Sequence, residues 1–359
     1  MFGRRPQNGT ATLKHELAKL AFADTGDWAQ DDVTGVDLDP VLVRKAREVE
    51  MTFFRKMGVY TRVPRLMQAA RGGKIIKVRW VDVNKGDSEN PDYRSRLVGM
   101  EFNTGKNDEL YASTPPLEAL RFVISHAATN TLSGMQRHVM INDVRRAYFY
   151  AKVSRDIYVE LPAEDTEGSK DQLGKLNLSL YGTRDAASNW QEHLSKQLEG
   201  IGFERGIGHP SVYHHKAKGL VTLVHGDHYT TAGEPDELRW FKSELEKAYE
   251  IKSQLVGPEG AETGKVLNRV ITYTGNGFEL EADQRHSEMI VEQLGINGPG
   301  GVTTAGSQNE EIETEEQEEK LAAGDVTLFR GVSARAMYLG PDRPEMLYAS
   351  KEVCREMSE

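Results

Sequence analysis

Two aspartates that lie far apart in the sequence are the strongest candidates for chemistry. Asp143 lies near the end of a strand-like run, His138 to Val144, in which alternate side chains share one face. Asp227 lies at the tip of a hairpin pattern, Gly219 to Gly233, which consists of an apolar strand, a Gly-Asp turn and a second strand. Carboxylates that meet at one edge of a sheet can hold divalent cations, and two such ions about 4 Å apart clamp the attacking and leaving oxygens of a phosphoryl transfer. An isolated aspartate is more often a turn or strand-end residue than a metal ligand, so the surrounding pattern must decide.

The elements that would position these aspartates alternate between strands and helices. Helical spacing is found at 118–128, 183–201 and 236–249, and strand patterns are found at 156–161, 265–271 and 278–280. This order predicts an α+β fold, in which an antiparallel sheet is packed on helices that lie on one side. A helical pattern at 282–294 and a small helical tail at 327–357 follow.

The first third of the chain is predicted to be a basic unit behind a loosely attached lead-in. Asp39-Pro40 is an N-cap signal for a helix that ends near Met57. Residues 74–83 and 94–98 alternate basic with apolar side chains and predict a two-stranded element. Residues 41–121 hold 16 Lys and Arg against 10 Asp and Glu, an excess that can face a polyanion or can simply be a solvated surface.

The composition excludes several classes of protein. The chain has 359 residues, a net charge of −10 and a single Cys, so it can form neither an internal disulfide nor a Cys-rich zinc site. Much of the acidity lies in one run, residues 309–319, which holds seven Glu and no basic residue; this pattern favours a solvated linker, with a binding tail as the alternative. No apolar run reaches the length of a membrane span, and the N-terminus lacks a signal-peptide pattern. We therefore expect an intracellular protein, in the cytoplasm or the nucleus, with no membrane partner.

Five segments, in order and spacing, resemble the reverse transcriptase of copia-type retrotransposons, over a stretch from about Arg44 to Ala349. They are YRSRLV at 93–98 with Glu101-Phe102, NDVRRAYF at 142–149, DIYVELP at 156–162, KLNLSLYGTRDAASNW at 175–190 and VHGDHYTTAG at 224–233. They are similar to the family's "KARLV...GF", "DVKTAF", "EEIYMEQP", "KLKKSLYGLKQAPRNW" and "YVDDIIITG" segments. No single segment is decisive, but their shared order makes the resemblance strong.

The resemblance implies a right-hand polymerase architecture with fingers, palm and thumb. It also implies an RNA-directed DNA polymerase that adds dNTPs to a primer 3′ end on an RNA or DNA template, by two-metal nucleotidyl transfer with Mg²⁺, or Mn²⁺ as the alternative ion. The family's site roles fall on metal ligands Asp143, Asp227 and His228, on fingers arginines Arg94 and Arg96, on sugar-gate Tyr148, and on nucleotide-pocket residues Gly182 and Arg184. Guanidinium groups suit phosphate oxygens, and a rigid aromatic side chain discriminates between sugars by shape.

The same resemblance divides the chain into predicted regions. These are a loosely ordered lead-in at 1–38, fingers and palm at 39–281, a thumb-like helical segment at 282–304, an acidic linker at 305–324 and a truncated connection segment at 325–359.

His228 is the main departure from the family pattern. It stands where the family has the second of two consecutive aspartates, so one of three expected carboxylates is replaced by a side chain poorly matched to Mg²⁺. Two alternatives therefore stay open: a catalytically impaired, transposon-derived nucleic-acid-binding remnant, and an interaction protein on an unrelated fold. A zinc site built from His214, His215, His225 and His228 is disfavoured, because strand alternation is expected to put His225 and His228 on different faces.

Overall fold

The computed structural model of the chain describes residues 29–102, 114–129, 134–165, 171–296, 298, 321–355 and 357. The helices are α1 (Pro40–Met57), α2 (Arg65–Arg71), α3 (Leu117–Ala127), α4 (Ala186–Gly200), α5 (Pro235–Ala248), α6 (Arg285–Gln293), α7 (Ala323–Leu339) and α8 (Leu347–Arg355). The strands are β1 (Tyr60–Pro64), β2 (Lys74–Ile76), β3 (Val78–Asn84), β4 (Tyr93–Gly99), β5 (His138–Val144), β6 (Ile157–Glu160), β7 (Gln172–Leu176), β8 (Glu204–Arg205), β9 (Val212–His215), β10 (Leu220–His225), β11 (His228–Gly233), β12 (Ile251–Val256), β13 (Thr263–Val266), β14 (Arg269–Tyr273) and β15 (Phe278–Ala282).

A six-stranded antiparallel sheet, in the order β12-β5-β11-β10-β9-β8, forms the centre of the fold. On one face, Trp190 of α4 and Phe241 of α5 pack with Met140 and Tyr229 of the sheet in one buried core. The predicted α+β fold, with an antiparallel sheet packed on helices, is confirmed. The predicted strands near 138–144 and 219–233 and the helices near 118–128, 183–201 and 236–249 are also confirmed, with shifts of a few residues at their ends.

The expectation that helices cover only one side of the sheet is wrong. Helix α3 packs on the opposite face, where its buried Leu120, Val123 and Ala127 lie in one core with Val139 and Ala232. The side chains of β5 and β11 alternate between the two faces, so both of these strands are buried on both sides and need a helix against each face. A small antiparallel sheet, β13-β14-β15, belongs to the same core as α3.

The basic N-terminal part consists of α1, a four-stranded sheet in the order β1-β7-β6-β2, and the hairpin β3-β4. Helix α1 begins as predicted, because Asp39 Oδ1 accepts hydrogen bonds from Val41 N and Leu42 N, and it ends at Gly58 with φ +66°. The predicted two-stranded element exists, but residues 74–83 are not one strand. The run divides at Lys77, since β2 pairs in parallel with β6 whereas β3 pairs with β4.

Residues 29–38 differ from the predicted loosely attached lead-in. Ala29 and Leu38 are buried with Val43 of α1. Asp31 and Asp32 accept hydrogen bonds from the backbone N–H groups of Asn84 and Asp82, respectively, and so pair this segment with strand β3. The rest of the lead-in, residues 1–28, and the whole acidic run, residues 309–319, lie outside the described residues.

The C-terminal half also departs from the prediction at several points. The predicted strand 265–271 is two strands, because Leu267 and Asn268 have φ of +50° and +62° and turn the chain back on itself. Strands β1, β7, β8, β9 and β12 and helix α2 were not predicted. Helices α6, α7 and α8 occupy the regions in which helices are predicted. None of the helices in the described ranges is both long and apolar enough to cross a membrane.

Gly182 lies where the segment that precedes α4 packs against the end of the hairpin β3-β4. Its φ is +81°, and an added Cβ would lie 2.0 Å from Gly99 O at the end of β4. Two hydrogen bonds also connect these segments: Gly99 N donates to Tyr181 O (2.7 Å), and Glu101 N donates to Gly182 O (3.3 Å). Only glycine combines this left-handed conformation with so close a backbone approach.

We therefore predict that Gly182→Ala lowers the free energy of unfolding by about 3 kcal/mol or more, because it adds a steric clash to the cost of a positive φ. Gly219→Ala is the matched control, since Gly219 has φ +60° but nothing within 4 Å of an added Cβ. It should lose only about 1–2 kcal/mol. Urea unfolding followed by circular dichroism measures both losses, and equal losses would contradict the close approach at Gly99.

Candidate active site

The pairing of β5 with β11 brings the two candidate aspartates to the same end of the central sheet. Asp143 on β5 is directly opposite His228, the first residue of β11. Val144 N donates a hydrogen bond of 2.9 Å to Asp227 O, so the hairpin tip is tied to the end of β5. The side chains of Asp143 and Asp227 are 44% and 39% exposed and accessible to a ligand.

A tight hairpin holds Asp227 in place. His225 and His228 are register partners, so Gly226 and Asp227 form a two-residue turn, in which Gly226 has φ +60°. Trp190 of α4 is 1% exposed, and its Nε1 donates a hydrogen bond of 2.7 Å to Gly226 O. The turn is thus anchored to the core by a buried aromatic side chain.

His228 lies between the two carboxylates. Its Nδ1 is 3.6 Å from Asp143 Oδ2, and its Nε2 is 3.6 Å from Asp227 Oδ1. Because each ring nitrogen faces a different carboxylate, one metal ion cannot be bound by all three side chains in this arrangement. Within the described ranges, no group of three or more His, Cys, Asp or Glu side chains could hold a metal ion.

By donor type, Asp143 and Asp227 suit a divalent cation, but in this arrangement the imidazole of His228 lies between them. Carboxylate oxygens suit Mg²⁺, which commonly takes one or two protein carboxylates and completes its shell with water and phosphate oxygens. His228 supplies nitrogen instead of oxygen and removes one negative charge, so its predicted place among the metal ligands does not match the chemistry of Mg²⁺.

Tyr148 lies close to Asp227 and packs against a second tyrosine. It belongs to a short 3₁₀ turn, Ala147–Tyr150, that follows β5. The rings of Tyr148 and Tyr181 have centroids 4.5 Å apart. Burial, with a smaller contribution from the negative charge of Asp227, raises the pKa of the Tyr148 hydroxyl. Both rings are thus neutral and pack together near Asp227.

The two fingers arginines have different surroundings, although both are exposed on one face of β4. The guanidinium of Arg96 lies over the Tyr181 ring, 5.2 Å from its centroid. Arg94 is instead paired with Asp92, with Nη2 2.7 Å from Oδ2. The structure therefore brings Arg96, but not Arg94, to the tyrosine pair next to the aspartates.

Glu101 organises the segment of Gly182 and Arg184. Its carboxylate is 1% exposed and accepts hydrogen bonds from Arg155 Nη1 (2.8 Å), Lys74 Nζ (3.0 Å) and Arg184 N (3.0 Å). The bonds from Arg155, more than the others, lower the pKa of Glu101 to about 2. Arg155 also binds Asp185, the residue before α4, at 2.8 Å. The backbone around Gly182 is thus held by charge as well as by packing.

Sequence reasoning missed Glu101, Arg155, Asp185 and Lys252 as neighbours of the site. Lys252 on β12 is the register partner of Asp143 on the side opposite His228, so a lysine and a histidine flank this carboxylate on one face. Strand β12 was not predicted because its central residues, 252–254, are exposed and polar. No local signal could have identified the Glu101 cluster, since its partners come from distant segments.

The histidine cluster needs one correction. His225 and His228 share a face of the sheet, not opposite faces as predicted, because a two-residue turn makes residues three apart into register partners. His215 is buried, with Nε2 3.2 Å from Ile201 O. It therefore lies against the backbone that follows α4, and the described histidines do not assemble a zinc site.

The comparisons with known proteins place the chain in a family. Residues 61–302 match the family described as "Reverse transcriptase (RNA-dependent DNA polymerase)". The mixed helices and sheets described above are therefore those of a right-hand polymerase fold. The chain belongs to the reverse transcriptase family, and its match is to the region found in copia-type transposons.

The curated relatives are transposon polyproteins. The chain is 27% identical over 271 residues to the Retrovirus-related Pol polyprotein from transposon TNT 1-94 of Nicotiana tabacum, covering 72% of this chain and 19% of the relative. It is 24% identical over 267 residues to the Transposon Ty1-BL Gag-Pol polyprotein of Saccharomyces cerevisiae, covering 71% and 14%. The chain thus spans about a fifth or less of the length of these relatives.

Among solved structures, the foamy viral protease-reverse transcriptase in complex with double-stranded DNA has a TM-score of 0.41 and 12% identity, covering 94% of this chain and 54% of that one. A telomerase from Candida albicans has a TM-score of 0.42 and 8% identity, covering 90% and 62%.

The Glu101 cluster gives a prediction with a definite pH dependence. Glu101→Gln removes a buried charge that pairs with Arg155 and Lys74, so the free energy of unfolding at pH 7 should fall by about 2–3 kcal/mol. A carboxyl whose pKa is depressed stabilises the fold above its usual pKa of 4.5, and this stabilisation is lost as the pH falls toward about 2. The difference in the free energy of unfolding between wild type and variant should therefore become smaller as the pH falls over that range.

Urea unfolding at pH 7 and at pH 3.5 measures this gap. Glu160→Gln is the control, since Glu160 pairs with Arg65 at 2.6 Å but both side chains are about 40% exposed. Its effect should stay below about 1 kcal/mol. A gap for Glu101→Gln that is the same at both pH values would contradict the assigned role of its charge.

Proposed function

We propose that the chain is the RNA-directed DNA polymerase region of a copia-type retrotransposon. In this proposal it adds dNTPs to a primer 3′ end at a site built on Asp143 and Asp227. The observation that carries the proposal is the register of β5 and β11, which brings two exposed carboxylates together in a chain of this family. Phosphoryl transfer depends mainly on positioning and on charge stabilisation, and a carboxylate pair at a sheet edge serves both.

The residues around the aspartates have matching roles in this proposal. A divalent cation, Mg²⁺ or Mn²⁺, held by Asp143 and Asp227 would supply Lewis-acid stabilisation of the charge on the reacting oxygens. Tyr148, packed against Tyr181, would restrict the space beside the sugar by shape. Arg96, above Tyr181, would bind the triphosphate, while Arg94 would have to leave Asp92 to do so. Gly182 and Arg184 would form the adjoining wall of the nucleotide pocket.

The remaining expectations are part of the same proposal. The partners would be an RNA or DNA template-primer and dNTPs, and the protein would act inside the cell, in the cytoplasm or the nucleus. Residues 39–281 would form the fingers and palm, 282–304 a thumb-like segment, 305–324 an acidic linker and 325–359 part of a connection segment.

A second candidate function is a nucleic-acid-binding remnant with impaired catalysis. The position of His228 favours it, since the imidazole lies between the two carboxylates, 3.6 Å from each. There it occupies space that a cation would need and provides no carboxylate oxygen. The two candidates share the fold and the template partner and differ only in chemistry.

Primer extension on an RNA template separates the two candidates. We expect weak extension by the unaltered chain in Mg²⁺ or Mn²⁺, and an increase of about tenfold or more in His228→Asp, because a carboxylate replaces the interposed ring. Asp143→Asn should abolish extension. His214→Asp is the matched control, because it makes the same change at an exposed position of β9 away from the aspartates and should leave the rate unchanged.

Each other result has a distinct meaning. Extension that survives Asp143→Asn would contradict the assignment of the metal site. Equal rates for wild type and His228→Asp would contradict the role given to His228. If no variant extends the primer but template binding is intact, the nucleic-acid-binding remnant is favoured.

Template binding should be electrostatic in either case. We predict that the dissociation constant for an RNA-DNA primer-template rises about tenfold or more between about 50 and 200 mM salt, because cations that meet phosphates release bound counterions. Fluorescence anisotropy measures it, and Asp143→Asn, which cannot catalyse, should show the same salt dependence. Absence of binding at low salt would contradict both candidates.

A further inference from the structure

Glu50 is a buried acid that the proposed mechanism does not use. It lies on α1, and its side chain is 2% exposed. Its Oε2 accepts a hydrogen bond of 2.8 Å from Arg146 Nε, whereas its Oε1 is buried without a hydrogen-bond partner in the described part of the protein. A buried carboxylate is costly unless it is paired, so Glu50 depends on Arg146.

Arg146 is held in an unusual position, three residues after Asp143. It is a non-glycine residue with φ +52° and ψ +45°, which costs about 1–2 kcal/mol. Its guanidinium lies over the Phe53 ring of α1, 4.1 Å from the centroid, so packing and charge both fix it. The side chain is still 25% exposed. Among the described residues, only the Nε of this guanidinium has a hydrogen-bond partner, so Nη1 and Nη2 are available to an anion.

The surroundings of this pair are those of the nucleotide site. Burial raises the pKa of Glu50, and the positive charges of Arg146 and then Arg96 oppose this shift, so both guanidinium groups act on the same carboxylate. Arg96 in turn lies over Tyr181, whose ring packs against that of Tyr148 at a tilt of 40°. Two guanidinium groups and two aromatic rings therefore converge next to the aspartates.

We propose that Arg146 is a phosphate-binding residue of the nucleotide site and that Glu50 is the positioning residue that holds it there. This inference rests on the proposed function and adds to it a cation that the family resemblance did not assign. With Nε engaged by Glu50, the two terminal nitrogens of Arg146 can donate to phosphate oxygens of a nucleoside triphosphate whose base and sugar lie near Tyr148 and Tyr181. Arg96 would bind the same phosphates from the side of the β3-β4 hairpin.

The left-handed backbone at Arg146 is consistent with this role. A purely structural residue at such a φ is best served by glycine or asparagine, which bear little or no strain there. Strain at a cationic residue beside a candidate site points to a function for the side chain. Glu50 contributes by fixing one guanidinium rotamer, so that less side-chain freedom is lost when the phosphates bind.

The test measures triphosphate binding without chemistry. The full chain is bound to a primer-template whose primer ends in a dideoxynucleotide, in Mg²⁺ or Mn²⁺, and the dissociation constant of the next correct dNTP is measured. Arg146→Asn removes the cation and keeps a residue that tolerates positive φ. We expect its dNTP dissociation constant to rise about ten- to a hundredfold, with template-primer binding changed less than about twofold. Arg239→Asn, at an exposed arginine of α5, is the control and should change neither constant.

A double variant separates phosphate binding from simple neutralisation of Glu50. In Glu50→Gln/Arg146→Asn no buried charge is left unpaired. If Arg146 serves only to neutralise Glu50, dNTP binding should recover in this double variant. If Arg146 binds phosphate, dNTP binding should stay weak. Glu50→Gln alone keeps an acceptor for Nε and should weaken dNTP binding by a smaller factor. In a variant that extends primers, it should raise the KM for dNTP and leave kcat unchanged.

Several results would overturn the inference. These are unchanged dNTP binding in Arg146→Asn, recovery in the double variant, or binding of template-primer but of no triphosphate by the wild type. Each of these leaves template binding, and with it the nucleic-acid part of the proposed function, in place. A wild type that binds no template-primer would overturn both proposals.

Discussion

The antiparallel pairing of β5 with β11 is the constraint on which the candidate active site depends. Met140 and Tyr229 are buried on one face of these strands, and Val139 and Ala232 are buried on the other. A slip of one residue would exchange the two faces and move Asp143 away from the hairpin tip, so packing on both sides fixes the register. The packing of the core thus fixes the geometry of the site, and the hydrogen bond from Trp190 to Gly226 also fixes the turn.

Buried carboxylates connect the basic N-terminal part to the rest of the fold. Asp165 is 2% exposed and binds both Arg55 and Arg62, and Glu101 binds Arg155 and Lys74. Because Asp165 lies outside residues 41–121 and pairs with two arginines inside that segment, the excess of basic residues counted there overstates its free positive charge. The cations that matter for an anionic ligand are those held near the tyrosine pair, and a charge count cannot distinguish them.

His228 illustrates how one substitution changes the chemistry of a site and leaves its scaffold intact. The strand, the turn and the anchoring tryptophan are all formed around it. A histidine here is compatible with the same strand register as an aspartate, because strands pair through their backbone groups and tolerate either side chain at an exposed end position. Fold and family membership are therefore insensitive to this residue, whereas the ability to hold a cation depends on it directly.

Elements whose signals are local can be predicted from the amino-acid sequence. The alternating pattern of β5, the Gly-Asp turn and the Asp39-Pro40 cap each depend on neighbours a few residues away, and each is found where the pattern predicts it. The order of the motifs also sufficed to identify the family. Local periodicity did not reveal edge strand β12, because its exposed residues carry no apolar alternation.

The pairing of distant charged side chains, in contrast, follows from the folded arrangement of the elements. Glu101 and Arg155 are 54 residues apart in the sequence, and Glu50 and Arg146 are 96 apart. Such pairs form because packing brings their elements together, and no property of either segment alone specifies the partner. The same holds for Lys252 and His228, which flank Asp143 only through the strand order of the sheet. The catalytic candidates could thus be recognised from the sequence, while the side chains that position and oppose them required the fold.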